Sequence, residues 1–526
     1  MSDGVEPRPE PTAARGATDL ADGEWHRLHP ATPLLRGGLA FIAIVGIVIA
    51  NLRERIAEIF FPSVVCPGGD CEGVDPFEYL IVNNLIVLVL LVVLVVLLLL
   101  IGGFALSWRM NTFRITDEVV ETRTGILFRT HRQARLDRIQ DVTVVRPLFA
   151  RLFGAARLEI GVAGQGTGVP LAYLGGAQAD ALRAVILRRA AGARAGEAPS
   201  SQPAAAGSVV DRRVQEFLAP ELDPELALPG SVVRMGAGRL VASTFLSTGT
   251  IVAIVVAVAF AVISVIQPRF LFVVAFSVIP AAIGLVSYLV NRITKFLRYS
   301  IAGTPDGVRV GYGLLTLRND TIPPGRIHSV AVSQPLLWRP AGWWSVRVNK
   351  ATRGAQSENG QQPTSTVLPV GSADDVFEVL RLLLPQAPDA DVRGLLERGL
   401  VGRGDDEFTT SPPRAAVLRL LSWRRNGFAL LPDLVVLRRG FIWRELVIVP
   451  LARVQSVAAG QGPLERALDL GAVHVHTVAG PITAKVGALA RTDAEGFLRD
   501  ASDASVAAAA ADRSHRWRSG EDGPAT

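Results

Sequence analysis

The sequence predicts an α+β membrane protein with two transmembrane helical hairpins and three copies of a small β-barrel or sandwich domain, each closed by a C-terminal helix. Two observations carry this prediction. Long apolar runs without charge occur within the first 290 residues, and the phrase "RIQDV" returns as "RIHSV" and "RVQSV" further along the chain. A chain of 526 residues also exceeds the size at which a single core usually stops growing.

The apolar runs are four in number and form two pairs. Tyr79–Ser107 contains no charged residue and is longer than the roughly 20 apolar residues that cross a bilayer core. The short uncharged run Gly37–Leu52 precedes it, and Leu240–Ile266 and Phe270–Val290 form the second pair. No small-residue cleavage site follows the first run, so we expect a retained span rather than a cleaved signal peptide.

Charge near these runs predicts their orientation, because Lys and Arg resist translocation. The tails and the large polar regions are rich in Arg, whereas the loop 53–78 has two Arg against six acidic residues. We therefore expect a multi-pass protein of the cell (plasma) membrane with four spans. Both termini and the repeated domains would be cytoplasmic, and the loop 53–78 would be exported.

The two cysteines, Cys66 and Cys71, lie in that loop and bracket Pro-Gly-Gly-Asp. In an oxidising compartment this spacing is compatible with a small disulfide loop. Two free thiols are the alternative. A metal site is a third reading, which the lack of further ligands nearby disfavours. The predicted orientation places both thiols on the oxidising side, so we favour the disulfide.

The recurring phrase marks a repeat of a whole domain. It begins at Arg138, Arg326 and Arg453, and the three copies superpose without a gap from an upstream acid to a downstream strand. An acid, a glycine at a hairpin turn and a proline after the central strand recur in each copy. These are Glu118, Asp306 and Asp433; Gly125, Gly313 and Gly440; and Pro147, Pro335 and Pro463.

Each copy ends in an amphipathic helical pattern. The predicted closing helices are Gly176–Ala190, Ser372–Pro385 and a segment near Leu489–Ala511, with Thr492 or Asp493 as the N-cap of the last. Short strands with glycine turns, followed by one helix, are typical of a small half-open barrel or bent sandwich.

The acid, the glycine, "R-I-Q-x-V", "P-L" and a closing helix together resemble the bacterial pleckstrin-homology-like (PH-like) domains of YdbS/YdbT-type membrane proteins. The resemblance implies tandem PH-like domains, each preceded by a pair of membrane helices. The third copy departs from this pattern, because a short basic amphipathic segment, Pro412–Leu431, stands where a hairpin is expected. That segment lies either on the inner membrane surface or against its own domain.

The predicted organisation follows the chain. It comprises a disordered tail (1–34), transmembrane hairpin 1 (35–108) with its exported loop (53–78), PH-like domain 1 (109–190), a linker (191–230), transmembrane hairpin 2 (239–291), PH-like domain 2 (299–385), a linker (386–411), the basic segment with PH-like domain 3 (412–512), and a disordered tail (513–526).

Six recurring arginines are the candidate binding residues. They are Arg138, Arg326, Arg453, Arg151, Arg339 and Arg466. They would receive anionic headgroups or a partner's carboxylates, or else hold the fold by pairing with an acid of their own domain. We favour the structural pairing for Arg138, Arg326 and Arg453, because acid and arginine recur together.

A second set of residues is expected at the membrane surface. It consists of Trp108, Arg109, Arg419, Trp423, Arg424 and Arg425.

The sequence contains no constellation typical of an enzyme, a cofactor or a metal site. His474 and His476 share one face of a strand, but no third ligand is evident. We therefore expect a non-enzymatic interaction or scaffold module at the bilayer, with a protein partner or further copies of itself and no nucleic acid. Binding or handling of anionic lipid is the alternative, and a transport component is a weaker one.

Overall fold

The structure is a computed structural model. It describes residues 20–29, 32, 35, 91, 95, 102–103, 106–125, 129–162, 169–190, 233–266, 271–304, 307–323, 325–350, 365–384, 389–402 and 407–512. Cys66, Cys71 and Asp306 lie outside these ranges. So does most of the predicted first hairpin, 35–108.

Four antiparallel sheets contain the strands of the described residues. Sheet 1 has β1 (His26–Arg27), β2 (Thr112–Ile115), β3 (Val119–Thr124) and β4 (Thr130–Arg135). Sheet 2 has β5 (Ile139–Pro147), β6 (Ala155–Val162), β7 (Val169–Gly175), β8 (Val233–Arg234), β9 (Ser300–Thr304), β10 (Gly307–Tyr312) and β11 (Thr316–Ile322).

The other two sheets follow in chain order. Sheet 3 has β12 (Ile327–Pro335), β13 (Trp344–Lys350), β14 (Thr366–Gly371), β15 (Thr409–Thr410), β16 (Gly427–Leu430), β17 (Leu434–Arg439) and β18 (Trp443–Pro450). Sheet 4 has β19 (Ser456–Gly460), β20 (Leu470–His476) and β21 (Ala484–Ala490).

The helices lie between and after these strands. They are α1 (Leu148–Leu152), α2 (Gly176–Ala190), α3 (Ala237–Phe245), α4 (Thr248–Ile266), α5 (Leu271–Phe296), α6 (Ala373–Leu383), α7 (Asp389–Val401), α8 (Pro463–Ala467) and α9 (Arg491–Ala511).

Each repeated unit is divided between two consecutive sheets. Four strands precede the recurring phrase and form the leading sheet of the unit, while three strands follow it and form the trailing sheet. The trailing sheet of unit 1 and the leading sheet of unit 2 are one continuous sheet, sheet 2, which β5 and β11 join. In the same way, β12 and β18 join units 2 and 3 within sheet 3.

The recurring phrase stands at the corner between the two sheets of a unit. In units 1 and 3 a 3-10 turn, Leu136–Arg138 or Leu451–Arg453, carries the chain from leading to trailing sheet. The N–H at the start of each turn donates to the carbonyl of the recurring acid, Leu136 to Glu118 and Leu451 to Asp433, both at 2.9 Å. The acid and the phrase therefore recur together because the backbone connects them at this corner.

The hairpin glycines confirm the predicted turns. Gly313 and Gly440 have φ of 110° and 81°. A Cβ at these positions would lie 2.0 Å from the carbonyl oxygen of Thr316 and 1.9 Å from that of Trp443. Only glycine fits such a turn without displacing the following strand.

The closing helices α2, α6 and α9 occur where they are predicted. Ser372 caps α6 by accepting from the N–H of Asp375. The N-cap prediction for α9 is wrong: β21 runs directly into the helix, so Ala490 is the N-cap, and Asp493 lies in the first turn. The predicted linker 386–411 is also corrected, because it contains the helix α7. The predicted disordered tail 1–34 is corrected as well, because β1 pairs with β2 and Ala21 and Leu28 are buried in the core of unit 1.

The units share their cores. Leu446 and Ile448 of β18 belong to unit 3 in sequence but are buried in the apolar core of unit 2. Conversely, Ala331 of β12 in unit 2 is buried in the core of unit 3. Because burying one such Leu or Ile side chain contributes about 2 kcal/mol, each join stabilises the units on both of its sides.

The second predicted pair of spans is helical but broken. The run predicted over Leu240–Ile266 divides into α3 and α4. Among the described residues, no single helix is both long and apolar enough to cross a membrane. The pair Ala237–Phe245 and Thr248–Phe260, bent by 48°, meets the length and composition criteria together.

A buried ion pair connects units 1 and 2 across the sandwich. Lys350 of β13 lies 3.2 Å from a carboxylate oxygen of Asp141 in β5, and both side chains are less than a tenth exposed. Burial raises the pKa of Asp141 more than Lys350 lowers it. Burial disfavours charge on Lys350, but Asp141 and Asp320 outweigh that effect and raise its pKa.

Replacing one partner would leave the other buried without an opposite charge beside it. We expect Lys350→Met to lower the free energy of unfolding by about 3 kcal/mol, and Lys350→Met combined with Asp141→Asn to recover much of that loss. Thermal unfolding of the full chain in detergent measures both. A double variant no more stable than Lys350→Met would contradict a direct pairing.

Candidate interaction site

The two joins between units use the same register. In the first, pairing runs from Val142–Thr321 to Pro147–Thr316. In the second, it runs from Val330–Ile448 to Pro335–Trp443, which are the equivalent positions of the repeat. Addition of a strand to an open sheet edge is a general mode of protein recognition. The chain uses this mode twice on itself.

Two of the six candidate arginines reach across these joins. Arg151, just after β5, donates to the carbonyl of Leu314 at 3.5 Å. Its counterpart Arg339 donates to the carbonyl of Ile442 at 3.4 Å and lies over the ring of Phe441. Both carbonyls are in the hairpin tip of the following unit. These arginines therefore bind a neighbouring unit, a contact that the sequence did not predict.

A charged pair accompanies each join, and its signs are reversed between the two. Glu159 of unit 1 lies 4.0 Å from Arg318 of unit 2. At the equivalent positions Arg347 of unit 2 lies 2.9 Å from Glu445 of unit 3. If unit 1 paired with unit 3 in this register, Glu159 would meet Glu445, and this like-charge contact would oppose association. Sequence reasoning missed these residues, because their pairing is visible only once the register is known.

A further contact secures the second join. Asn349 of β13 is fully buried and donates to the carbonyl of Ile482 at 2.8 Å. The side-chain oxygen of Asn349 accepts from the N–H of Ile482 at 3.0 Å. The loop before β21 of unit 3 is thus held by unit 2.

The arginines of the recurring phrase have other surroundings. Arg453 pairs at 2.8 Å with Asp512, which follows the last residue of α9, so the acid shown beside it is not Asp433. Arg138 is exposed and Arg326 is partly buried. The predicted pairing of Arg326 with Asp306 lies outside the described residues.

Exposed apolar side chains cluster at the hairpin tips. We call this set the tip surface: Leu148, Phe149, Leu152, Phe153, Leu314, Leu315, Leu336, Leu337, Phe441, Ile442 and Trp443. The tips contact the ends of α4 and α5. The N–H of Leu314 donates to the carbonyl of Thr294 at 2.9 Å, and the indole of Trp443 donates to Thr248 at 3.3 Å.

The basic segment before unit 3 packs under its own domain on one side. Arg425 is only 4% exposed and donates to the carbonyls of Gly399 and Gly402 beside the C-terminal end of α7, a favourable position for a cation. The expectation that Arg425 contacts a membrane surface is therefore wrong. The burial of Arg425 could not be predicted from the sequence, because it depends on contact with α7, a helix that was not predicted.

The remaining surface candidates divide by exposure. Trp108 donates to the carbonyl of Leu28 at 2.7 Å, and Trp423 packs against a small apolar cluster of unit 3. Arg109, Arg419 and Arg424 are exposed. Beside them in sequence lie the exposed apolar side chains of Val417, Leu420 and Leu421.

His328 lies on β12 at the second join and is partly buried. Burial, with Arg453 and Arg326 nearby, lowers its pKa to about 4. The side chain is therefore neutral near pH 7. Units 1 and 3 have Gln140 and Gln455 at this position. Glutamine does not titrate, so His328→Gln is the matched substitution for removing the titration of this side chain.

Comparison with protein families gives three matches along the chain. The family model of the bacterial PH domain matches residues 74–190, 238–387 and 408–505, which together make up most of the sequence. The chain belongs to the bacterial PH domain family. Seven antiparallel strands in two sheets and one closing helix per unit fit PH-like sandwich domains, and this membership indicates an interaction or lipid-binding module. Neither the curated proteins nor the solved structures gave a match.

The two histidines of β20 are in close ring contact, with their planes tilted by 43°. The ring centroids of His474 and His476 are 3.8 Å apart. Burial, then His476 and Lys485, lower the pKa of His474. Within the described ranges no group of three or more His, Cys, Asp or Glu side chains is placed to hold a metal ion.

The carbonyl contact of Arg339 has a matched control within the chain. We expect Arg339→Ala to lower the free energy of unfolding by about 1 kcal/mol, since a partly exposed bond from a charged donor is lost. Arg466→Ala, at the equivalent position of unit 3, should leave it unchanged. Denaturant unfolding followed by tryptophan fluorescence measures both. Equal effects of the two substitutions would contradict the assigned role.

His328 also generates a pH prediction. The unfolded chain takes up a proton near pH 6.5 and the folded chain only near pH 4, so stability falls as the pH drops between these values. For this partly solvated group we expect a loss of about 1 kcal/mol between pH 7 and pH 5. His328→Gln should remove this part of the pH dependence in thermal unfolding of the full chain. An unchanged pH dependence in the variant would assign it to other groups.

Proposed function

We propose that this PH-domain protein is a non-enzymatic, membrane-anchored interaction module. Its α4–α5 pair lies in the cell membrane, and its three PH-like units form one platform at the cytoplasmic face that gathers partner proteins. The observation that carries this proposal is the joining of the units by two continuous sheets, beside helices whose apolar side chains point outward.

The helices α4 and α5 support the membrane anchor. Their outward faces carry apolar side chains such as Val255, Ile266 and Ile283, which are 60%, 70% and 62% exposed. Soluble proteins rarely expose contiguous apolar patches of this kind. A hydrocarbon environment would cover them without any further partner.

The tip surface supports the position of the units relative to that anchor. Exposed apolar residues at both joins lie beside the ends of α4 and α5, where a bilayer boundary would run. Tryptophan and neighbouring arginine side chains suit that boundary, because they combine an apolar body with a polar end.

The platform itself follows from the joins. Strand pairing, shared cores and the pairs Glu159–Arg318 and Arg347–Glu445 fix each unit against the next. A scaffold benefits from such rigidity, because partners bound to different units keep a defined spacing.

Contact with anionic lipid is the second candidate function. Arg419 and Arg424 are exposed next to Val417, Leu420 and Leu421, of which Leu420 is 78% exposed. A basic and apolar surface of this composition suits an anionic bilayer, where each basic residue contributes about 1 kcal/mol.

The anchor is tested by the accessibility of single cysteines. In a chain with Cys66→Ser and Cys71→Ser, one cysteine is introduced at Val255 on α4 or at Asp500 on α9, both exposed in the fold. We expect a membrane-impermeant maleimide to label Asp500→Cys only after cell lysis and Val255→Cys only after detergent is added. Labelling of Val255→Cys without detergent would contradict the anchor, and labelling of Asp500→Cys in intact cells would contradict the orientation.

Lipid contact is separated from scaffolding by a titration of the purified full chain in neutral detergent. Phosphatidylglycerol and phosphatidylcholine are added in parallel, and native mass spectrometry counts the bound lipid. A lipid-binding function predicts selective retention of phosphatidylglycerol that Arg419→Ser with Arg424→Ser reduces about tenfold, a loss of 1.4 kcal/mol. Equal retention of both lipids would leave scaffolding as the function.

A further inference from the structure

The trailing sheet of unit 3 repeats a docking site that is filled in units 1 and 2. The positions of β5 and β12 that pair with the next unit correspond in unit 3 to β19 and the residues after it. Strand β19 pairs only with β20 and forms the edge of sheet 4 in the described part of the chain. Its sequence, "SVAAG", carries no charge and is largely exposed.

The other parts of the docking site are also present in unit 3. Arg466 stands where Arg151 and Arg339 bind the hairpin tip of a following unit, and it is exposed. His474 stands where Glu159 and Arg347 meet the charge of a following strand. It lies opposite Ala458 on one side and Lys485 on the other.

The surroundings of this edge indicate the occupant. Lys485 supplies a positive charge beside His474, and His474 stands at the position where Arg347 pairs with Glu445 in unit 2. An incoming strand with a carboxylate at the position of Glu445 would complement the charge of Lys485 and the polar ring of His474.

A second copy of this chain fits poorly. In the described part of the chain, β4 is the outer strand of the leading sheet of unit 1, and it has Arg132 where units 2 and 3 have Asp320 and Val447. All side chains of β4 except Ala134 are polar and exposed. Charged residues on an edge strand prevent edge-to-edge pairing. In the register of the two joins, Arg132 would lie opposite Ala458, beside His474.

We propose that β19, Arg466 and His474 form a docking site for an edge strand of another protein, paired antiparallel to β19 and carrying a carboxylate that faces His474. The partner adds to unit 3 as unit 3 adds to unit 2. This inference rests on the proposed interaction function and names the surface through which it operates.

The first test supplies the missing strand from the chain itself. The substitutions Thr130→Glu, His131→Leu, Arg132→Val and Gln133→Ile give β4 the residues of β18, so that one copy offers the strand and another offers β19. We expect the variant to associate head to tail with rising concentration in detergent, by mass photometry, while the natural chain stays monomeric.

Two controls make this association specific. Ala458→Lys, at the position of the buried Ala331, should abolish it without affecting the free chain. His474→Glu should weaken it about tenfold, and using Thr130→Lys in place of Thr130→Glu should restore it. Absence of association in the redesigned chain would overturn the proposal, as would association that neither substitution at the β19 edge alters. Dimers of the natural chain that Ala458→Lys abolishes would also overturn it, because the occupant would then be a second copy.

The natural partner is tested in cells with a photocrosslinking residue at Ala459 of the full chain. We expect one adduct that Ala458→Lys removes, whose crosslinked peptide is a strand with Asp or Glu in the predicted register. An adduct to a peptide without a carboxylate there would overturn the proposal. The detergent test does not depend on membrane insertion, so its failure and that of the proposed anchor are distinguishable.

Discussion

The edge-to-edge pairing of strands from different units is the constraint on which the rest of the structure depends. Because β12 and β18 are neighbours in one sheet, the core of unit 2 is completed by Leu446 and Ile448, which arrive from unit 3. The arginine-to-carbonyl contacts and the charged pairs reinforce a register that the backbone already defines. The three PH-like domains are therefore sequence repeats but not separate folding units.

Because the units share sheets and cores, a single domain expressed alone would lose part of its structure. A fragment of residues 412–512 would expose the apolar side of β18 and lose the contact between Asn349 and Ile482. Its binding properties would then reflect an artificial edge. Conversely, the docking edge of unit 3 at β19 carries no strand from a following unit among the described residues, while the supporting residues are present. In the described part of the chain the two outer strands therefore differ, because β4 is protected by charged side chains and β19 carries no charge.

The sequence predicted what is local and repeated. Hairpin glycines, the corner phrase and the closing helices follow from backbone geometry within a few residues, and their threefold recurrence identified them. The sharing of sheets was not predicted, because pairing between Val330 and Ile448 leaves no local mark in either strand. The candidate site shows the same limit. Arg339 was recognised as a recurring residue, but its role depends on a carbonyl 103 residues away. Arg425 was misassigned because its acceptors, Gly399 and Gly402, lie at the C-terminal end of a helix within a predicted linker.

Hydrogen exchange of the full chain in detergent tests the shared sheets most directly, because β12 and β19 occupy equivalent positions of the repeat. The structure predicts that amides of Val330–Gln334 exchange as slowly as those of the inner strand β13, whereas the outward amides of Ser456–Gly460 exchange rapidly. Equally rapid exchange in both strands would contradict the joining of units 2 and 3 in one continuous sheet.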